Sequence, residues 1–275
     1  MTLPLPFLEN GSIWFPETFV NQVKATFNFY AEEEQGRFRI GAIIIDPGHG
    51  GRDPGTVWDY VVQGRTLTIM EKVIVLNVSR MLHAALSASF PDKQVILTRE
   101  GDTTLSIQER VAIANSLNLK DNETAIFVSV HANSSLSNRN ARGFEVFYLN
   151  PNYRRDLIDR TRYADFEEVI PILNSMMEEQ TTTESILLAN SILNRMDEAV
   201  GDISPRRGLK PHEWFVVRNA LMPSVLVELG FVSNREEALL LNDNAYLMKL
   251  SEALYKGISD FIAFFEGSGG FTALR

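Results

Sequence analysis

Apolar residues in this chain fall into two patterns. One is a set of short runs rich in β-branched residues, at positions 42–45, 94–98, 125–131, 143–149, 214–218 and 224–228. These read as strands, the first of them buried on both faces. Between the runs, apolar residues recur every three or four positions and predict helices at 69–89, 105–117, 185–200 and 244–265. The first of these helices has Val73, Leu76, Met81, Leu82 and Leu86 on one face, the second Ile107, Val111 and Ala114. Strands alternating with helices of this length imply an α/β protein, a three-layer α/β/α arrangement with a mainly parallel sheet of about six strands. Residues 53–68 are polar and rich in turn formers, and read as a connection. Residues 150–184 are charged and helical, with Pro171 in the middle, and read as a helical insertion. Residues 1–36 form a separate appendage or the end of an upstream domain, with an extended segment at 8–16, a short helix at 17–27 and an acidic joint at 31–36. The main domain spans 37–266, and 267–275 is a loose tail.

Composition narrows the function. The chain is 45% hydrophobic and 22% charged, as in a soluble globular protein, and its net charge is −9 with no basic stripe. Nucleic acid is therefore not an expected partner. With no cysteine, disulfides, thiol nucleophiles and cysteine metal sites are excluded. No apolar run approaches the ~18 residues of a membrane span. The first residues lack the basic start and apolar core of a secretory signal, so an export signal, where one is needed, is expected outside this chain.

Any metal must then be held by carboxylates and by His49, His83, His131 or His212. His49 lies in the turn Asp46-Pro-Gly48-His49-Gly50-Gly51 that ends the first strand, and His131 ends the third. Right-handed crossovers bring the carboxyl ends of parallel strands to one edge of the sheet, where ligands bind in open α/β folds. Two neutral imidazoles and one carboxylate are a recurring set for catalytic zinc. The candidate carboxylate is Glu71, although its local sequence reads first as the N3 residue of a capping box begun by Thr68. Glu228 ends an apolar strand, so it is either paired with an arginine such as Arg99 or Arg110 or is a general base with a raised pKa. His83 reads as a surface or half-buried helix residue. His212 lies in a loop that either borders the cleft or does not. Glu145 is expected to face solvent or an ion pair.

Seven motifs occur in order: Ile-Asp46-Pro-Gly-His49-Gly-Gly, Glu71-Lys, Leu-Thr-Arg99 with Asp102, Glu109-Arg110 with Ala114-Asn115, Ser-Val-His131-Ala-Asn133, Arg207-Gly-Leu-Lys210, and Val-Glu228-Leu-Gly-Phe-Val-Ser-Asn234. The ordered set resembles the zinc-dependent N-acetylmuramoyl-L-alanine amidases, bacterial cell-wall hydrolases. The resemblance covers about residues 40–265, with 150–184 as an insertion. It implies one Zn2+ per chain held by His49, Glu71 and His131, with Glu228 as the catalytic acid–base. It also implies a peptidoglycan substrate cut at the amide between N-acetylmuramic acid and L-alanine, in the cell envelope. Two alternatives stand beside it: a zinc peptidase acting within the stem peptide, and a catalytically silent wall-binding module. Asp46 and Asn133 flank the histidines and are expected to hydrogen-bond their rings, whereas Arg99, Asp102, Arg110 and Asn115 are expected to brace the frame. Some relatives carry a helix that blocks the zinc cleft until a partner removes it. By that likeness the insertion is expected to place Glu167, Glu168, Glu178 or Glu179 at the metal and to be moved by an activator protein. The alternative is an ordinary helix packed away from the site.

Overall fold

The computed structural model describes residues 7–9, 12–14, 16–17, 19–21, 38–157, 168 and 170–268. The chain divides into two units, Met1–Phe38 and Arg39–Arg275. In the first, β1 (Phe7–Glu9) pairs antiparallel with β2 (Ser12–Trp14), with Phe7 opposite Trp14. Helical backbone follows Pro16. Most of the expected 17–27 helix and the acidic joint lie outside the described residues, as does nearly all of the tail.

The second unit begins with β3 (Arg39–Pro47), a hairpin of β4 (Val57–Val62) and β5 (Arg65–Met70), and helix α1 (Glu71–Ser89). It continues through β6 (Gln94–Leu97), α2 (Ile107–Asn115), β7 (Glu123–Asn133) and β8 (Phe144–Leu149). Then come α3 (Ile170–Val200), β9 (Arg206–His212), α4 (Phe215–Asn219), β10 (Ser224–Phe231), α5 (Arg235–Leu241) and α6 (Asn244–Gly267). Among the described residues no helix is long and apolar enough to cross a membrane.

Six strands form one sheet in the order β6-β3-β7-β10-β8-β9. The first four are parallel, whereas β8 and β9 run together in the opposite direction. On one face Ala42, Ile44, Ala125, Phe127 and Leu226 pack with Val111 and Ala114 of α2 and with Val216 and Val217 of α4. Helices α1, α3 and α6 cover the other face. The result is the expected three-layer arrangement. Ile40 and Ala42 to Ile45 are fully buried, which is why β3 reads as an unbroken apolar run rather than an alternating one.

Four local expectations change. Residues 53–68 are not an irregular connection, since β4 and β5 pair register-perfect from Val57↔Met70 to Val62↔Arg65. Gln63 and Gly64 both have positive φ in the two-residue turn, the geometry that suits a tight hairpin. Residues 214–218 form α4 rather than a strand. β9 runs toward the pole of the sheet from which β10 starts, so the chain between them needs only a compact turn there. β9 itself, Arg-Arg-Gly-Leu-Lys-Pro-His, was not legible as a strand. It is the polar edge of the sheet, the place where Pro211 is tolerated. Finally, the insertion helix and the 185–200 helix are one element, α3, with Pro171 in its first turn where no hydrogen bond is lost.

Candidate metal centre and active site

The loop after β3 is held in a conformation that its sequence alone does not favour. His49 is a non-glycine residue at φ 57°, in the left-handed region that costs roughly 1–2 kcal/mol. Two arginines fix it by binding the loop carbonyls. Arg99 donates from Nε to Pro47 O (2.9 Å) and from Nη2 to Gly48 O (2.7 Å), while Arg110 donates to Pro47 O (2.6 Å) and to His49 O. Asp46, expected beside an imidazole, instead anchors this clamp. Its carboxylate is fully buried and accepts from Arg110 Nη1 (2.7 Å), Thr98 Oγ1 (2.6 Å) and Ser129 Oγ (2.7 Å). Those donors lie beneath the loop, and no imidazole is among its partners. Arg110→Met is therefore expected to strand a buried carboxylate and destabilise the fold by about 3–5 kcal/mol. Urea unfolding measures this, and a loss below about 1 kcal/mol would contradict the clamp. Asp102 completes the frame by accepting from Gly51 N (2.7 Å) and Lys72 Nζ (2.8 Å), and Asn115 binds Asn219 O and Leu221 N across the α2–α4 layer.

Glu71 opens α1, but not as a cap. The helix N-cap is Met70, without a side-chain bond, and Thr68 lies in β5, where it donates to Asp59. The Glu71 carboxylate is buried and turned into the site. Oε2 accepts from Thr56 N (2.9 Å) and Oε1 from Ala132 N (3.1 Å). His49 Nε2 and His131 Nδ1 each lie 3.0 Å from Oε1. His49, Glu71 and His131 thus bring one ligand atom each within 4.8 Å of one another, the only such group among the described residues. Burial disfavours charge on both His49 and Glu71. The hydrogen bonds between them outweigh it, so His49 titrates above an ordinary histidine and Glu71 well below an ordinary carboxylate, with His131 the stronger partner of Glu71.

Asp53 was missed from the sequence. Its Oδ2 lies 2.8 Å from His49 Nδ1, so it orients the ring and leaves Nε2 facing the cluster, as carboxylates beside ligand histidines do. The only signal was its spacing four residues after His49, just before Pro54-Gly55. Two glycines make room for the rings. A Cβ on Gly48 would lie 2.3 Å from His131 Cε1, and one on Gly55 would lie 2.7 Å from both Glu71 Oε2 and His49 Cδ2.

Glu228 of β10 lies in register with His131 on one side and Glu145 on the other. It is 9% exposed, and its Oε2 is buried with no hydrogen-bond partner among the described residues. The arginine pair weighed from sequence does not form, because Arg99 and Arg110 are committed to the loop. Burial, followed by the nearby charges of Glu71 and Glu145, pushes the Glu228 carboxyl well above the usual range. Glu145 takes the ion-pair option, with Arg207 Nε at 3.0 Å and Lys210 Nζ beside it. Asn133, expected to hold an imidazole, donates to Glu145 instead (2.7 Å).

The remaining candidates lie elsewhere. His83 bonds Val95 O at 3.2 Å. His212 stacks on Trp214 at 4.3 Å, at the pole where β9 ends. The insertion starts from that same pole, since β8 runs antiparallel to β10 and ends at Leu149, away from Glu228. Glu178 is buried in an ion pair with Arg155 (2.6 Å), which also binds Ala220 O. Glu168 and Glu179 are exposed, and Glu167 lies outside the described residues. None of the three described carboxylates of the expected plug joins the cluster, because β8 ends, and the insertion starts, at the end of the sheet away from Glu228.

Comparison with known proteins agrees with this geometry. The family profile described as N-acetylmuramoyl-L-alanine amidase matches residues 43–260. The chain is 28% identical over 247 residues to the N-acetylmuramoyl-L-alanine amidase AmiA of Salmonella typhimurium, covering 85% of this chain and 80% of that protein. It is 30% identical over 238 residues to the probable amidase AmiB of Haemophilus influenzae, covering 80% of this chain and 51% of that one. The solved amidase AmiC2 of Nostoc punctiforme superposes with a TM-score of 0.57 at 29% identity, over 80% of this chain and 96% of that structure. The chain belongs to the N-acetylmuramoyl-L-alanine amidase family, the hydrolases that cut stem peptides from the glycan of peptidoglycan.

Proposed function

We propose that this chain performs the family reaction with a zinc ion held by His49, Glu71 and His131 and with Glu228 as its acid–base residue, at the cell envelope where peptidoglycan lies. The observation that carries the reading is the joint placement of the three converging donors with a buried, unpartnered carboxylate on the adjacent strand. The donor set fits zinc: two imidazoles and one carboxylate, with no sulfur, whose donor atoms all lie within 4.8 Å of one another. Bound there, zinc supplies Lewis acidity for the scissile carbonyl and lowers the pKa of water toward ~7.

The chain's own residues do the rest. Asp53 and Glu71 hold the two rings in place before substrate arrives. Glu228, ionised, removes the proton from the attacking water and returns it to the amide nitrogen, which leaves as the amine of L-alanine. Amide nitrogen is a poor leaving group until protonated, so both halves of the transfer matter. The raised pKa suits the first half of that shuttle, since a stronger base takes the proton from water more readily. Lys210, Arg207 and Asn133 hold Glu145 beside Glu228, so its negative charge keeps Glu228 basic.

Elemental analysis of the purified protein is expected to give one zinc per chain, with hydrolysis of peptidoglycan lost on chelation and restored by added Zn2+. Full hydrolysis after complete metal removal would overturn the assignment. Because imidazoles must be neutral to serve as ligands, and Glu71 and Asp53 raise the His49 pKa, zinc occupancy should fall as pH drops through and below ~6.5.

A further inference from the structure

Beside the cluster runs a groove whose charge is opposite to that of the chain as a whole. Its inner part, about 550 Å³, opens at Asn133 and Glu145 and continues past Asn140, Arg142 and Arg207 to Phe231. Its outer part, about 730 Å³, shares Asn140 and Arg142 and lies between Trp58, Tyr60, Arg139 and Arg235. The β4–β5 hairpin forms one wall and is fastened there: Tyr60 OH donates to Val232 O (2.7 Å) and Arg235 Nη2 to Val61 O (3.0 Å).

Four arginines line this groove in a protein of net charge −9. Two are matched by acids: Arg207 by Glu145, and Arg142 by Glu236 (3.0 Å). Arg139 and Arg235 have no carboxylate partner among the described residues. The Arg139 guanidinium lies 4.6 Å from the centroid of the Trp58 ring, which holds the cation over an aromatic face while leaving its edge donors free. The remaining acid, Asp59, accepts from Thr68.

Resting on the amidase reading, we propose that this groove receives the peptide side of the substrate and that Arg139 on Trp58, with Arg235, binds a free carboxylate of that peptide. A planar guanidinium with free donors matches a carboxylate. Stem peptides carry such groups beyond L-alanine, whereas glycan whose lactyl groups are still amide-linked to peptide offers hydroxyls and acetamides. The aromatic face on which a sugar ring would stack is covered by Arg139 itself. The inner groove reaches Glu145, the strand neighbour of Glu228, so a peptide leaving the scissile bond enters it directly.

The test uses two soluble muropeptides of equal length, one with its carboxylates free and one with them converted to carboxamides. Arg139→Gln is expected to raise KM for the free-carboxylate substrate about tenfold, the size of one charge-assisted hydrogen bond, with kcat little changed. The amidated substrate should show no such change. Trp58→Leu should act in the same direction, and added salt should narrow the difference. Equal KM effects on both substrates, or none on either while both are hydrolysed, would overturn the proposal and leave the amidase reading intact. Failure of the unaltered protein to hydrolyse either muropeptide at the muramoyl–alanine bond would overturn both.

Discussion

Replacing Glu228 with glutamine is expected to leave metal content unchanged while lowering turnover by about 100–10,000-fold, the usual contribution of a positioned acid–base group. The substitution keeps shape and removes the ability to take and return a proton. It should also make the metal-free protein more resistant to unfolding at neutral pH. In the fold, burial raises the Glu228 pKa, so the folded chain holds this proton more tightly than the unfolded one. Stability from this group therefore falls as pH rises from the ordinary carboxylate range toward the elevated folded value. A buried carboxylate with an unpartnered oxygen is a cost to the fold that function explains. A Glu228→Gln protein with near-normal turnover would make Glu228 a structural acid. One that melts lower than the parent, both without metal, would mean that the carboxylate is partnered after all.

The second large effect belongs to His131. His131→Ala removes one of three donors, and zinc and activity are expected to disappear together. With only His49 and Glu71 left, the site loses the third protein ligand that catalytic zinc centres share. Elemental analysis separates this from the Glu228 change, since one variant loses metal and the other keeps it. Stoichiometric zinc in a folded His131→Ala protein would contradict the ligand set.

Much of this was legible in the chain because burial imposes period and composition on sequence. β3, β7 and β10 sit in the middle of the sheet and are sealed on both faces, so their runs stand out and end at His49, His131 and Glu228. The edge strand β9 had no such signal, being polar and interrupted by Pro211. Residues 214–218 misled because their β-branched and aromatic content suits a strand, while the topology leaves only a turn to be made there. The partners of Asp46 and Asn133 were not legible because they come from distant elements: Arg110 from α2, Ser129 from β7, Glu145 from β8. Sequence proximity to a ligand predicted a bond to its ring, but these donors and acceptors are taken by partners that the neighbouring sequence does not name. The direction of β8 decided the end of the sheet from which the insertion starts, and strand direction depends on pairing that the run 143–149 does not encode.

Mass spectrometry of the products released from purified peptidoglycan tests the central claim most directly. The expected products are intact stem peptides with a free L-alanine amino terminus, and glycan strands whose muramic acid carries a free lactyl carboxylate. Peptides cut at an internal bond, with L-alanine still attached to the glycan, would contradict cleavage at the muramoyl–alanine amide.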